Sequence, residues 1–190
     1  MRQYEKKLDK VIKPYLDKCR ASDYNHSLRV VKWVKKLCSK KENLRLLITA
    51  AYLHDIGWTN IMPEGKVDLD EMLKLEFKAN QNTESLVKKV LYKIKFNKDD
   101  VITVLGLIKS ADNHESETDE EAIIVDADNL SKLCLDHLEE KYTPESYSKI
   151  LNLWEVEFPN RIKTEKGKEL FPDLLRDLKK RVNKSPSSNG

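Results

Sequence analysis

Apolar residues recur at three- and four-residue intervals along most of this chain, a spacing that commits it to packed α-helices. Leu8, Ile12 and Leu16 form one such stripe, Val30, Val34 and Leu37 a second, and Leu47, Ala51 and His54 a third. Residues that break helices are scarce. The 190 positions include only 5 Gly and 6 Pro, too few for a turn-rich β architecture, and no segment reads convincingly as a strand. The expected fold class is all-α, a single-domain helical bundle over residues 1–182.

Local signals divide the bundle. Helices are expected over 2–19, 22–39, 42–55, 69–79, 84–96, 98–110, 118–141, 143–157 and 165–182. Ser22 or Asp23 can cap the second, and Gly57 suits a left-handed ending to the third. Residues 58–68, with Pro63 and Gly65, read as a loop. Thr118 and Glu121 make a capping box, and Thr143-Pro144 pairs a cap with a first-turn proline. Pro172 should kink or split the last helix. The tail 183–190, Asn-Lys-Ser-Pro-Ser-Ser-Asn-Gly, has a disordered composition.

Composition narrows the function. The chain is 39% apolar and 35% charged, which suits helices with one buried stripe and a charged solvent face. Its 35 basic and 32 acidic residues are interspersed, so the net charge of +3 gives no case for nucleic acid as a partner. The 3 Cys (Cys19, Cys38 and Cys134) lack any CxxC spacing and read as reduced thiols, an expectation of cytoplasmic location. No stretch approaches the ~20 apolar residues of a membrane span, so no membrane partner is expected.

The chemistry concentrates in few residues. Of 4 histidines, His26 lies one turn before Val30 and His54 follows Ala51, both on inward faces. Alone, each reads as a hydrogen-bonded core side chain. Together with Asp55, adjoining His54, and a later inward aspartate, they offer mixed nitrogen and oxygen ligands for a divalent ion. Asp126 and Asp128 both qualify as that aspartate, and helix periodicity does not separate them.

Three blocks carry a resemblance: Asp23-Tyr24-Asn25-His26-Ser27-Leu28-Arg29-Val30, Ala50-Ala51-Tyr52-Leu53-His54-Asp55-Ile56-Gly57, and Ile123-Ile124-Val125-Asp126-Ala127-Asp128-Asn129-Leu130. Together, over about 22–135, they resemble the HD-domain superfamily of metal-dependent phosphohydrolases, in particular its small stand-alone bacterial and archaeal branch. The resemblance implies an all-α domain with His26, His54 and Asp55 as metal ligands. It favours Asp128 as the fourth, because the family's distal aspartate sits in an Ala-Asp-x-Leu run. Asp126 then stands as a partner orienting a ligand, or as the alternative ligand.

The same resemblance implies one divalent metal ion, Mn first, with Fe, Co, Ni, Zn or Mg as alternatives. It implies hydrolysis of a small phosphorylated substrate, a nucleotide by preference, through a metal-bound hydroxide. Arg29, Lys66, His114 and Trp58 are the candidates for substrate contact, the first three toward phosphate and Trp58 toward a base, although Arg29, one turn after His26, equally suits a carboxylate inside the fold. Asp23 is a further polar candidate, whereas His137 reads as an ordinary helix-end histidine. Some relatives place a catalytic glutamate after the His-Asp pair. Here Ile56-Gly57-Trp58-Thr59 stands there, so no acid or base is assigned. The alternative is an HD-like scaffold that binds a nucleotide or partner without catalysis.

Overall fold

Two helices, α2 (Asp23–Leu37) and α6 (Asp119–Ser131), pack along one another at the centre of the chain, and the rest is arranged around that pair. The computed structural model describes residues 2–39, 43–62 and 65–184. Among these, α1 (Arg2–Leu16), α3 (Leu44–Leu53), α4 (Leu69–Lys93) and α5 (Lys98–Asn113) flank the pair on one side. On the other lie α7 (Leu135–Lys141), α8 (Tyr147–Arg161) and α9 (Glu165–Lys184). Short 3-10 turns at Ile56–Trp58 and Pro144–Ser146 complete the plan. No strand forms among the described residues, only an isolated bridge between Val67 and Tyr142.

The apolar stripes fill two cores. Leu8, Ile12, Val30, Val34, Leu47, Leu53 and Leu91 belong to the first, and Leu130, Leu138, Trp154, Phe158 and Leu175 to the second. Trp33, Leu37, Met62 and Met72 pack against both. The seam between the cores is where α2, α3 and α6 bring polar side chains into the interior.

Several boundaries differ from expectation, each for a local reason. The two helices expected over 69–79 and 84–96 are one, because the polar residues between them find partners that leave the helix ladder intact. The Asn82 amide donates to the Gly57 carbonyl at 2.9 Å, and the Thr83 hydroxyl back-bonds to Ala79 at 3.2 Å. Conversely, the helix expected over 118–141 breaks after Ser131 without Gly or Pro. The Ser131 hydroxyl folds back onto the Asp128 carbonyl at 2.8 Å, and the Cys134 amide bonds Lys132 at 2.9 Å.

The capping box at Thr118 and Glu121 is present. Neither Ser22 nor Asp23 caps α2: Ser22 takes a left-handed backbone (φ 67°) and its side chain leaves the helix end unsatisfied. Helix α9 runs through Pro172 unbroken, held by Phe171, Leu175 and Leu178 in the second core. It includes Asn183 and Lys184; the remainder of the expected tail, and Pro63 in the loop, lie outside the described residues.

Gly57 serves close approach rather than a left-handed ending. A Cβ there would run into the Ala79 carbonyl and the Thr83 hydroxyl of α4. Gly57→Ala is therefore expected to cost about 2 kcal/mol through overpacking, a fall of roughly 4–8 °C in thermal midpoint. An unchanged midpoint in differential scanning calorimetry would show that α4 moves away freely.

Candidate metal centre

Three elements deliver the site. His26 lies on the second turn of α2, His54 and Asp55 follow the last residue of α3, and Asp128 is on α6. Inside a continuous helix, successive side chains diverge by about 100°. Because α3 ends at Leu53, the turn into Ile56–Trp58 brings both His54 and Asp55 to the same point.

Each of the four side chains is anchored by one polar atom and presents the other to the centre. The His54 Nδ1–H donates to the Ala51 carbonyl at 3.0 Å. The Ser131 hydroxyl gives its proton to the Asp128 carbonyl, so it accepts from His26 Nδ1 at 3.1 Å. When both imidazoles are neutral, each therefore turns an Nε2 lone pair inward, the two nitrogens 3.1 Å apart. Asp128 Oδ2 is held by Lys132 Nζ at 2.7 Å while Oδ1 sits 3.1 Å from His26 Nε2. Asp55 Oδ1 is held by Arg20 at 2.6 Å while Oδ2 lies 3.5 Å and 3.7 Å from the two Nε2 atoms.

Acceptor atoms converging without a donor among them repel one another unless a cation lies between them. One ligand atom from each of His26, His54 and Asp128 lies within 4.8 Å of the others, a group that could hold a metal ion. Asp55 Oδ2 borders it. Two imidazoles and two carboxylates suit a borderline or hard divalent ion, and the donor chemistry therefore fits the metal.

In the ion's place the cluster can hold a proton. Burial disfavours the charged form of His54, yet Asp55 and Asp128 outweigh it and push the pKa up to about 9. Burial holds His26 down to about 4, so the pair shares one proton and His54 carries it. Burial works against both carboxylates too, but Arg20 and His54 keep Asp55 ionised and Lys132 keeps Asp128 ionised, both well below the ordinary range. A metal must displace the His54 proton, which binds in the metal-free protein until the pH passes about 9. Apparent metal affinity should accordingly rise with pH, by roughly tenfold per unit from neutrality toward that value. Chelator competition at a series of pH values checks it; a flat profile would contradict the assignment.

Above the cluster opens a cavity of about 500 Å³. Its floor is His26, His54, Asp55 and Asp128, and its walls include Trp58, Phe77, Asp112, His114, Lys132 and Arg161. Behind the floor, Asp23 is fully buried and accepts from Arg20 Nε at 2.9 Å and Lys141 Nζ at 2.7 Å. Asp23, Asp55 and Asp128 are thus matched one for one by Arg20, Lys132 and Lys141. A divalent ion would add uncompensated positive charge to the floor, the field an anionic substrate needs.

The model of the HD domain family matches residues 23–133. The chain belongs to the HD-domain family. It matches no curated protein and no solved structure. The family is one of metal-dependent phosphohydrolases, and the helical bundle and the His-His-Asp group agree with it.

Within the HD domain, the structure brings His26, His54, Asp55 and Asp128 together and turns Asp126 away. The Asp126 carboxylate accepts from the Lys163 and Thr164 amides at 2.7 and 2.9 Å and from the Thr164 hydroxyl. It fastens α6 to the start of α9 and orients no ligand. Trp58 and His114 line the cavity. Trp58 also lies under the Arg20 guanidinium, 4.1 Å from the ring centroid.

Two substrate candidates do not reach the cavity. Arg29 bonds Glu140 at 2.9 Å and His137 Nδ1 at 3.3 Å, because one turn beyond His26 it faces α7. Lys66 stands exposed in the loop, away from the cavity lining. His137 is no surface helix-end residue. It is buried, with its ring 4.9 Å from that of His26, and burial holds its pKa well below the ordinary value.

Sequence reasoning missed Arg20, Lys132, Lys141 and Asp112. Lys132 left a signal, four residues after Asp128 on the same helix face. Arg20 precedes Asp23 by three residues in a turn, a weaker one. Lys141 and Asp112 gave none, since only the folded chain places them.

Proposed function

We propose that this HD-domain protein hydrolyses a phosphoester or phosphoanhydride bond of a small phosphorylated molecule, with a nucleotide as the substrate class and Mn as the first metal. The observation that carries the reading is the convergence of four acceptor atoms on the floor of an open cavity. When bound, a divalent ion supplies Lewis-acid polarisation of a phosphoryl oxygen and a lowered pKa for attacking water.

The chain's own residues do the rest. His26, His54, Asp55 and Asp128 would hold the ion at the floor of the cavity. Lys132, at the edge of the cluster, meets the phosphoryl charge. Trp58, Leu73, Phe77 and Leu153 form apolar walls on which a planar base can lie; Phe77 is 73% exposed and Leu73 48%. Asp112 is our assignment for the proton donor to the leaving group. Burial, with the negative charges of Asp55, Asp128 and Glu76, pushes its pKa up to about 7, where a carboxyl both carries and releases a proton.

The test is metal analysis of untagged protein together with phosphate and pyrophosphate release from a nucleotide panel under Mn, Mg, Co or Ni. Metal binding and turnover are expected, with Asp112→Asn lowering kcat by about 10²–10³ at unchanged metal content. No metal and no release with any ion would refute the reading. One observation favours a second: the buried Ile56–Trp58 turn offers no carboxylate after the His-Asp pair. Tight nucleotide binding without turnover would decide for a non-catalytic scaffold.

A further inference from the structure

We propose that His114 and Arg161 form an anion subsite beyond Lys132 and the metal centre, which receives a second phosphoryl group of a substrate that carries at least two. The inference rests on the hydrolase reading for the place of the reacting phosphoryl, at the four-ligand cluster.

The cations of the cavity fall into two sets. Arg20 is locked between Asp23 and Asp55, and Lys141 is 3% exposed on Asp23, so neither can turn to a ligand without stranding a buried carboxylate. Arg161 has no such duty, and Lys132 can meet a ligand without leaving Asp128. Lys132 reaches Asp128 Oδ2 at 2.7 Å with its side chain still 20% accessible, which places its ammonium at the rim of the cluster. Arg161, the last residue of α8, touches Glu157 through one guanidinium nitrogen at 3.4 Å, a loose contact beside the two-pronged grip a phosphoryl group offers.

His114 lines the same cavity, near enough to both cations for their charges to act on its ring. It ends α5 in a left-handed backbone (φ 57°, ψ 32°), with the Glu115 amide closing onto Ser110. Gly is the ordinary occupant of such a position, and a histidine there is strained by about 1 kcal/mol. Its Nδ1 is buried and has no hydrogen-bond partner among the described residues. With Nδ1 closed off, Nε2 is the ring nitrogen left to meet a ligand, and a strained backbone holding such a ring in a cavity wall points to one. Burial, reinforced by the charges of Lys132 and Arg161, holds the ring's pKa down to about 4, so it is neutral and can donate one N–H to a phosphoryl oxygen. A phosphoryl group at the metal meets Lys132, and the next one along the chain of the substrate meets His114 and Arg161.

The experiment compares methylenediphosphonate, whose P–C–P bridge is not hydrolysed, with methylphosphonate, by calorimetry on protein holding excess Mn. The wild type should bind the diphosphonate at least about tenfold more tightly, equivalent to about 1.4 kcal/mol. Arg161→Ala and His114→Gly should each shrink that ratio to about threefold or less, and His114→Gly should at the same time raise the thermal midpoint. The rise in midpoint separates loss of the ligand contact from loss of the fold. Equal affinities in the wild type, or a ratio that survives both substitutions, would overturn the subsite. Turnover of monophosphates with a ratio of one removes the subsite and keeps the hydrolase reading. A ratio of ten without turnover of any phosphorylated compound does the reverse.

Discussion

Asp128→Ala is expected to leave the protein without metal and without hydrolytic activity, while Asp126→Ala keeps its metal and loses stability instead. Although the two residues are one apart from adjacent on α6, they face opposite partners. Asp128 Oδ1 lies 3.1 Å from His26 Nε2 and completes the group that could hold the ion. Loss of residues that merely orient a ligand weakens metal binding by about 10–100-fold, so loss of a ligand should exceed roughly 100-fold. Asp126 instead satisfies the first amides leading into α9, and a Cβ on Gly167 would meet its carboxylate, so the packing there is tight. Removing it strands buried donors and should cost about 3 kcal/mol, near 6–12 °C in thermal midpoint. Elemental analysis and calorimetry on both variants check the pair. A metal-free Asp126→Ala beside a metal-bearing Asp128→Ala would reverse the assignment.

That choice shows what the chain's order of residues can reveal. His26 and His54 were legible because each shares a helix face with apolar residues that must be buried, a relation contained in a few neighbouring positions. Asp126 and Asp128 were not separable in this way, since all of 124–131 is buried and α6 has no solvent-facing stripe in that stretch to break the tie. Only the resemblance to HD domains favoured Asp128, and the direction of its side chain agrees.

Other side chains depend on partners that the sequence does not name. Arg29, one turn after His26, is open to a substrate phosphate or to a carboxylate inside the fold, and spacing alone does not say that Glu140 of α7 arrives on that face. His137 looked peripheral while 118–141 was read as one helix; the break after Ser131 turns α7 back and carries His137 against His26. In the same way, the polar stretch 80–83 separates two expected helices, and the bonds of Asn82 to Gly57 and of Thr83 to Ala79 join them into one. For Arg29 and Asn82 the deciding atom lies far away in sequence.

Arg20 gives the second large effect, and it connects stability to the metal. Its guanidinium joins two carboxylates of opposite duty: Asp23, fully buried, and Asp55, whose other oxygen faces the histidines. Burial disfavours the charged guanidinium, but Asp23 and Asp55 outweigh that and hold it charged, its pKa raised. Arg20→Ala leaves both carboxylates short of a partner in the interior, which should cost about 3–5 kcal/mol, or roughly 6–20 °C in thermal midpoint. It also frees Asp55 to rotate, so metal affinity should fall by about 10–100-fold even where the chain stays folded. Arg20→Lys separates the two effects. An ammonium can pair with Asp23 or Asp55 but lacks the planar fork that spans both, so stability should recover further than metal affinity. If Arg20→Lys restores both in full, Arg20 acts only as a buried charge, and the orientation of Asp55 is set elsewhere.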